Sequence, residues 1–287
     1  MRGDRSRFAV APGRVLALAR LDLGDVLRSR WLVFCLGLYG VLAVLFLLVG
    51  LRESTVLGFT GLGRVLLSMS HALVLLLPLL ALSATAQVIN RAQDDGTLEL
   101  LFSHPVTRTE YFVGVTAVRL GVLLAPFVAL MVLVTLVGRF WLGSAIAWGF
   151  LVRGLLACGA LIWAFTGCGL AVSTYVRNQA KAVMTLLGIW VASVAMLDFL
   201  LIGAMLQWRL HPQTVFALAA LNPVEASRLA LLSAAEPTLS VLGPVGFYLA
   251  HRVGAPALLA LGVAWPLALG TLAWWLALRR FTRQDLA

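Results

Sequence analysis

Charge of either sign is scarce in this sequence. Asp, Glu, Lys and Arg make up 12% of its 287 residues, about half the ~25% of an ordinary soluble domain. A soluble chain of this size must clothe its surface in polar groups, so the shortage excludes a soluble globular enzyme. Lysine is almost missing: Lys181 is the single lysine among 22 basic residues. A Gly-Lys-Ser/Thr loop holds phosphates with backbone amides and that lysine. Lys181 follows Ala180, so ATP hydrolysis by this route is excluded and no enzyme activity is expected. The three cysteines, Cys35, Cys158 and Cys168, all lie in apolar stretches, which excludes a disulfide framework. Cys158 and Cys168 are ten residues apart, roughly 80° around a helix. The four histidines (His71, His104, His211, His251) are scattered, and neither His-Glu-x-x-His nor Gly-x-Ser-x-Gly occurs. No metal site and no serine nucleophile are expected.

Hydrophobic residues are what the chain has, at 61% against roughly 45–50% in soluble domains. A bilayer core requires about 20 apolar residues in helix, because the backbone must satisfy its own hydrogen bonds there. Six stretches qualify: 31–50, 66–89, 112–137, 154–176, 182–206 and 255–278. Only Arg119 and Asp198 carry charge inside them. The expectation is an all-α polytopic membrane protein, residues 1–287 forming one transmembrane domain. Residues 140–152 are apolar too and leave the start of the fourth span open. The first apolar run begins at Trp31 without a cleavage site, so it reads as a span rather than a signal peptide.

The net charge is +10. No cluster resembles a nucleic-acid arm, so nucleic acid is not an expected partner, and the arginines read as an orientation signal. With both termini inside, the inner segments carry 14 basic residues over 66 positions and the outer ones 7 over 79. That more than twofold bias follows the positive-inside rule and predicts that both termini are cytoplasmic. Residues 14–30 are amphipathic at helical period. Leu16, Ala19, Leu23, Val26 and Leu27 share one face, and Arg14, Asp22, Asp25, Arg28 and Ser29 the other. Such a helix lies in the lipid interface before the first span; the alternative is a loose tail.

The loop 90–110 holds four of the twelve acids: Asp94, Asp95, Glu99 and Glu110. Gly96 is a natural break, Thr97 to Phe102 read as a short amphipathic helix, and Pro105 ends it. Thr107-x-x-Glu110 has the form of a capping box opening the third span. A short element held at the membrane face suits docking onto a cytosolic partner, or is a well-capped connection.

Arg119 lies about 10 Å into the third span at 1.5 Å per residue, a depth from which it can snorkel to the headgroups. Asp198 lies deeper, about 24 Å up the fifth span, and must face a cavity or a neighbouring helix, since charge at depth is costly. Met184, Met196 and Met205 do not form a single-face ladder. In the long outer loop 207–254, Asn222 suits an N-cap, Pro223 the first helical position and Glu225 the third. A helix over 223–235 is predicted, stopped by Pro237, with a second short one at 245–252. Leu229, Leu231 and Leu232 suggest that it lies on the membrane or against another chain. Glu225 and Arg228 share a face flanked by Leu229 and Leu232. That face reads either as a receiver for a periplasmic protein or as a gate helix resting in the interface.

The loop residues Asp94, Gly96, Thr97, Glu99, Leu100, Leu101, Pro105 and Arg108 resemble, in register, the signature of permease subunits of ABC transporters of the ABC-2 class. Ala92 and Val115 depart from it. Six spans, the interfacial helix and the long outer loop extend the resemblance over nearly the whole chain. It implies a subunit that pairs with a second copy of itself and with two cytosolic ATPase subunits. They bind Mg-ATP, so this chain needs no cofactor, and the short loop helix couples their closure to the spans. Asp94, Asp95, Gly96, Thr97, Glu99, Leu100, Leu101, Pro105 and Arg108 are the expected coupling residues. The outer segment Leu221 to Leu229 is similar to the nitrous oxide reductase maturation subgroup, which implies a periplasmic copper-handling partner. Alternatives are a non-transporting membrane scaffold or an exporter of a lipid, drug or other small substrate. Membrane lipid is a partner in every case.

Overall fold

The computed structural model describes residues 11–56, 61–141, 148–196, 212–235 and 249–283, with single positions 203, 207, 239 and 246. Among these residues every regular element is helical. α1 (Pro12–Leu27) meets α2 (Arg30–Val56) at a 70° bend. α3 (Gly61–Thr85) and α4 (Val88–Asp94) follow as one span broken at Ala86 and Gln87, then the short α5 (Thr97–Phe102). α6 (Arg108–Trp141) and α7 (Trp148–Tyr175) cross next, and α8 (Gln179–Val191) runs into a π-helical segment, Ala192–Met196. α9 (Pro212–Leu221) and α10 (Pro223–Ala235) form a hairpin bent by 115°, and a π-helical turn at Leu249–Val253 precedes α11 (Ala255–Arg283).

Among the described residues five helical stretches are long and apolar enough to cross a membrane, and up to seven if each of the two bent pairs is one span. The six crossings expected from the sequence lie within that range. The fold is thus an all-α polytopic membrane protein. The predicted spans 31–50, 66–89, 112–137, 154–176 and 255–278 overlap α2, α3–α4, α6, α7 and α11; the fifth, 182–206, begins on α8, and beyond Met196 all of it but position 203 lies outside the described residues. The apolar stretch left open at 140–152 is resolved as helix at both ends: α6 reaches Trp141 and α7 starts at Trp148.

α7 is the central post, with α3, α10 and α11 packed around it. Burying a helix on several sides in a bundle favours small residues, because lipid-facing helices gain packing energy only by close approach. Gly167 faces Gly270 of α11 so closely that a Cβ on Gly270 would stand 2.7 Å from Ala164 Cα and from Trp163 Cδ1. Gly262 meets Ala226 and Ala230 of α10, and Ser227 Oγ donates to the Gly262 carbonyl at 3.1 Å. Gly270→Val should therefore lower the thermal unfolding midpoint in detergent, by overpacking worth about 1–3 kcal/mol. An unchanged midpoint would show that α7 and α11 do not cross this closely.

α1 has a third face beside the two read from the sequence. The predicted apolar set is mostly outward: Leu16, Leu23 and Leu27 are exposed. The stripe Leu18, Asp22, Val26, spaced by four, turns instead onto α6. Gly114 of α6 allows the approach, since a Cβ there would already touch Leu18 Cβ at 3.4 Å. The partition assumed only lipid and water; α6 is a third environment.

Candidate functional site

α4 is pinned to the end of α7 before the loop begins. Ile89 N donates to Ser173 Oγ at 2.8 Å, and Asn90 Nδ2 to the Val176 carbonyl at 2.6 Å. Asp94 accepts from Gln179 Nε2 at 2.7 Å, which ties the loop to the start of α8, and Arg91 lies 3.7 Å from Asp95. Gly96 then takes φ +68°, a left-handed conformation that glycine adopts without a Cβ clash. It starts α5.

α5 is two-faced. Leu98 is buried, and Leu101 and Phe102 are half-buried, whereas Thr97, Glu99 and Leu100 are exposed, as are Asp94, Asp95, His104 and Pro105. Leu100 is 71% exposed, an apolar side chain next in sequence to the exposed Glu99. The inward face rests on an aromatic cluster that joins three elements. Phe102 meets Tyr111 at 6.2 Å and Phe281 at 6.4 Å between ring centres. Phe281 meets Phe112 at 5.7 Å, and Phe112 meets Trp274 at 5.6 Å. Trp274 Nε1 also donates to Thr116 Oγ1 at 3.0 Å. α5 is thereby packed on both α6 and the end of α11. Of the expected coupling residues, Arg108 is turned inward. Its Nη1 reaches the carbonyls of Phe281 and Thr282 at 3.4 and 3.3 Å, capping α11, and its Cζ lies 6.0 Å from the Phe102 ring.

The Thr107–Glu110 pair forms the box read from the sequence. Thr107 N donates to Glu110 Oε2 at 2.8 Å, and Glu110 N to Thr107 Oγ1 at 3.2 Å. Glu110 does more than cap. Its Oε1 accepts from Ala11 N at 2.9 Å, with Arg14 at 3.9 Å, so one buried carboxylate holds the starts of α1 and α6 together.

Arg119 does not snorkel, which corrects the expectation. Its Nη2 donates to Asp22 Oδ1 at 2.8 Å, and both side chains are largely buried. The reason is again α1, which lies along α6 and delivers a carboxylate to the arginine before it needs the headgroups. Burial raises the Asp22 carboxyl above its usual range, and Arg119 opposes that push without cancelling it. Asp198 lies outside the described residues, as does Met205. Met184 and Met196 are exposed. Among the described residues no group of three or more His, Cys, Asp or Glu is placed to hold a metal.

On the opposite face of the bundle, Asn222 caps α10 through Val224 N at 3.0 Å. Its Nδ2 donates to the Ser193 carbonyl at 2.6 Å, linking the hairpin tip to the π-helical segment of α8. Pro223 occupies the first helical position and α10 ends at Ala235, as predicted. The outward docking face does not exist on this helix. Glu225 pairs with Arg228 at 2.5 Å, but Glu225 is buried with Leu229, Leu231 and Leu232. The correction has a packing cause: the 115° bend at Asn222 drives α10 back among α3, α7 and α11. Its charges are then neutralised inside the bundle rather than in headgroups.

Sequence reasoning missed Asp22, Tyr111, Phe281 and the long reach of Glu110 to Ala11. The aromatic residues at both ends of the loop were a usable signal; the Ala11 contact, 99 residues away, left none.

A bundle of apolar, span-length helices that presents one short, anchored helix at one end defines a polytopic membrane protein. Residues 16–286 match the model of ABC-2 family transporter proteins, and the chain belongs to that family: it is an ABC transporter permease subunit. It is similar to the "Probable ABC transporter permease protein NosY" of Stutzerimonas stutzeri, 29% identical over 259 residues that cover 88% of this chain and 93% of the relative. The protein of the same name from Pseudomonas aeruginosa is 29% identical over 238 residues, 76% of this chain and 82% of the relative.

Proposed function

We propose that this permease works as a dimer with two cytosolic ATPase subunits and that α5 is its coupling helix. In this reading both termini and the α5 face are cytoplasmic in a bacterial inner membrane, in accord with the arginine bias, and Mg-ATP is bound by the partner subunits. The observation that carries the reading is Leu100: an exposed leucine beside the exposed Glu99, on a helix whose other face packs against α6 and α11. A rigid knob of this kind fits a groove, and burying a leucine contributes about 1.5–3 kcal/mol. ATP-driven closure of the partners favours one position of α5, and only such a difference in binding can shift the spans. On the outer side, the resemblance of Leu221 to Leu229 to the nitrous oxide reductase maturation subgroup supports an output toward a periplasmic copper-handling protein. The α9–α10 hairpin, tied to α8 through Asn222, would carry that output.

The test is copurification of the ATPase with Leu100→Asp and Glu99→Arg variants, together with ATPase activity in the reconstituted complex. Leu100→Asp is expected to weaken association by roughly 30-fold, the equivalent of ~2 kcal/mol at a hot spot. Glu99→Arg is expected to uncouple hydrolysis. Wild-type binding and coupling in both variants would overturn the coupling role of α5.

A further inference from the structure

α11 ends at the α5 face with Arg279, Arg280 and Arg283, all exposed. Two of these guanidinium groups sit over aromatic rings. Arg279 Cζ lies 3.4 Å from the centre of the Trp275 ring, and Arg280 Cζ lies 5.6 Å from that of Tyr175, the last residue of α7. A ring engages the flat face of a guanidinium, so the N–H groups around its edge stay available to an acceptor. The carboxylates that form ion pairs among the described residues are engaged elsewhere. Glu110, Asp95, Asp22 and Glu225 face Arg14, Arg91, Arg119 and Arg228.

The direction of the stacking matters. Helical side chains lean toward the N-terminus, and Trp275 lies one turn earlier in α11, so the Arg279 head is drawn back toward the bilayer. Along the same side, one and two turns deeper, Leu276 and Leu272 are 40% and 54% exposed. From Leu272 to Arg279 the rise is about 10 Å. An occupant of this strip needs hydrocarbon to lie along the leucines and an anion directly above them.

We propose that the ends of α7 and α11 form a binding site for an anionic phospholipid. Its phosphate is held by Arg279 and Arg280, and its chains lie along Leu272 and Leu276. Charge complementarity and continuity with the exposed apolar strip of a membrane-spanning helix favour a lipid over a cytosolic protein, which offers no hydrocarbon at that depth. The site does not depend on the coupling role of α5.

The experiment is native mass spectrometry of the full-length protein released from nanodiscs of equal parts phosphatidylglycerol and phosphatidylcholine. The wild type should retain phosphatidylglycerol selectively. Arg279→Gln with Arg280→Gln should lower that retention by roughly 30-fold, the effect of two basic residues near an anionic surface. Trp275→Leu keeps both charges but frees Arg279, and should lower retention several-fold. Arg139→Gln, at the far end of α6, should leave it unchanged. Equal retention of the two lipids by the wild type would overturn the site, as would undiminished phosphatidylglycerol retention in the double variant. So would an equal loss with Arg139→Gln, which would mark a diffuse charge effect.

Discussion

Asp22→Ala is expected to destabilise the protein by about 3–5 kcal/mol, the cost of leaving one partner of a buried ion pair alone. Arg119 lies in the first turns of α6 with 17% of its side chain exposed, and Asp22 is 14% exposed. Water therefore screens the pair little, and the freed guanidinium would have to tear α1 away or stay charged in an apolar setting. The contact is single rather than bidentate, because Asp22 Oδ2 and Arg119 Nε are buried without hydrogen-bond partners. Replacing both residues, Asp22→Leu with Arg119→Met, should then recover most of the loss, since a well-packed apolar pair is often neutral or better. Unfolding of the two single variants and the double variant in detergent gives the cycle. A double variant as unstable as Asp22→Ala would show that the pair is not what holds α1 on α6.

Glu110→Ala comes next in expected size. It leaves the amides of Ala11 and Thr107 without their acceptor, and each orphaned buried donor costs about 1–3 kcal/mol. It also removes the attraction to Arg14. α1 should detach at its start while the first turn of α6 frays. Hydrogen exchange reads this directly: protection should fall at the beginning of α1 and at residues 107–111, yet persist in the middle of α7. Glu110→Gln keeps one carbonyl acceptor and should lose about half as much. If the start of α1 stayed protected in Glu110→Ala, the helix would be held by lipid and by the Asp22 contact, not by this carboxylate.

Both predictions turn on contacts between segments about 100 residues apart, which marks where sequence reasoning stopped. The elements were legible because their causes are local. Proline at the start of α10, the Asn222 cap, the Thr107–Glu110 box and the turn at Gly96 are each written within four residues. The outward half of α5 was legible too, since Glu99 and Leu100 alternate with Leu98 and Leu101 at helical spacing. Partner choice was not. Arg119 could reach headgroups or a carboxylate with equal chemical sense, and only the course of α1 over Gly114 settled it. Arg108 had the residue type of a docking cation, yet it turns inward and caps the carbonyls at the end of α11.

The sequence by itself determined that this is an all-α membrane protein, which of its apolar runs are helical, and that its loop resembles that of an ABC-2 permease. Burial in lipid demands long apolar runs, and backbone caps demand particular neighbours, so neither depends on what is packed alongside. The tertiary structure alone decided that α10 folds inward and hides Glu225, Leu229 and Leu232, and that α1 rides on α6. It alone brought Phe102, Tyr111 and Phe281 together beneath α5. An apolar helix face looks the same in sequence whether it meets lipid or another helix, because both are equally free of water. The difference comes from shape, from glycines such as Gly114, Gly262 and Gly270 that let one backbone approach another, and shape is a property of the assembled bundle.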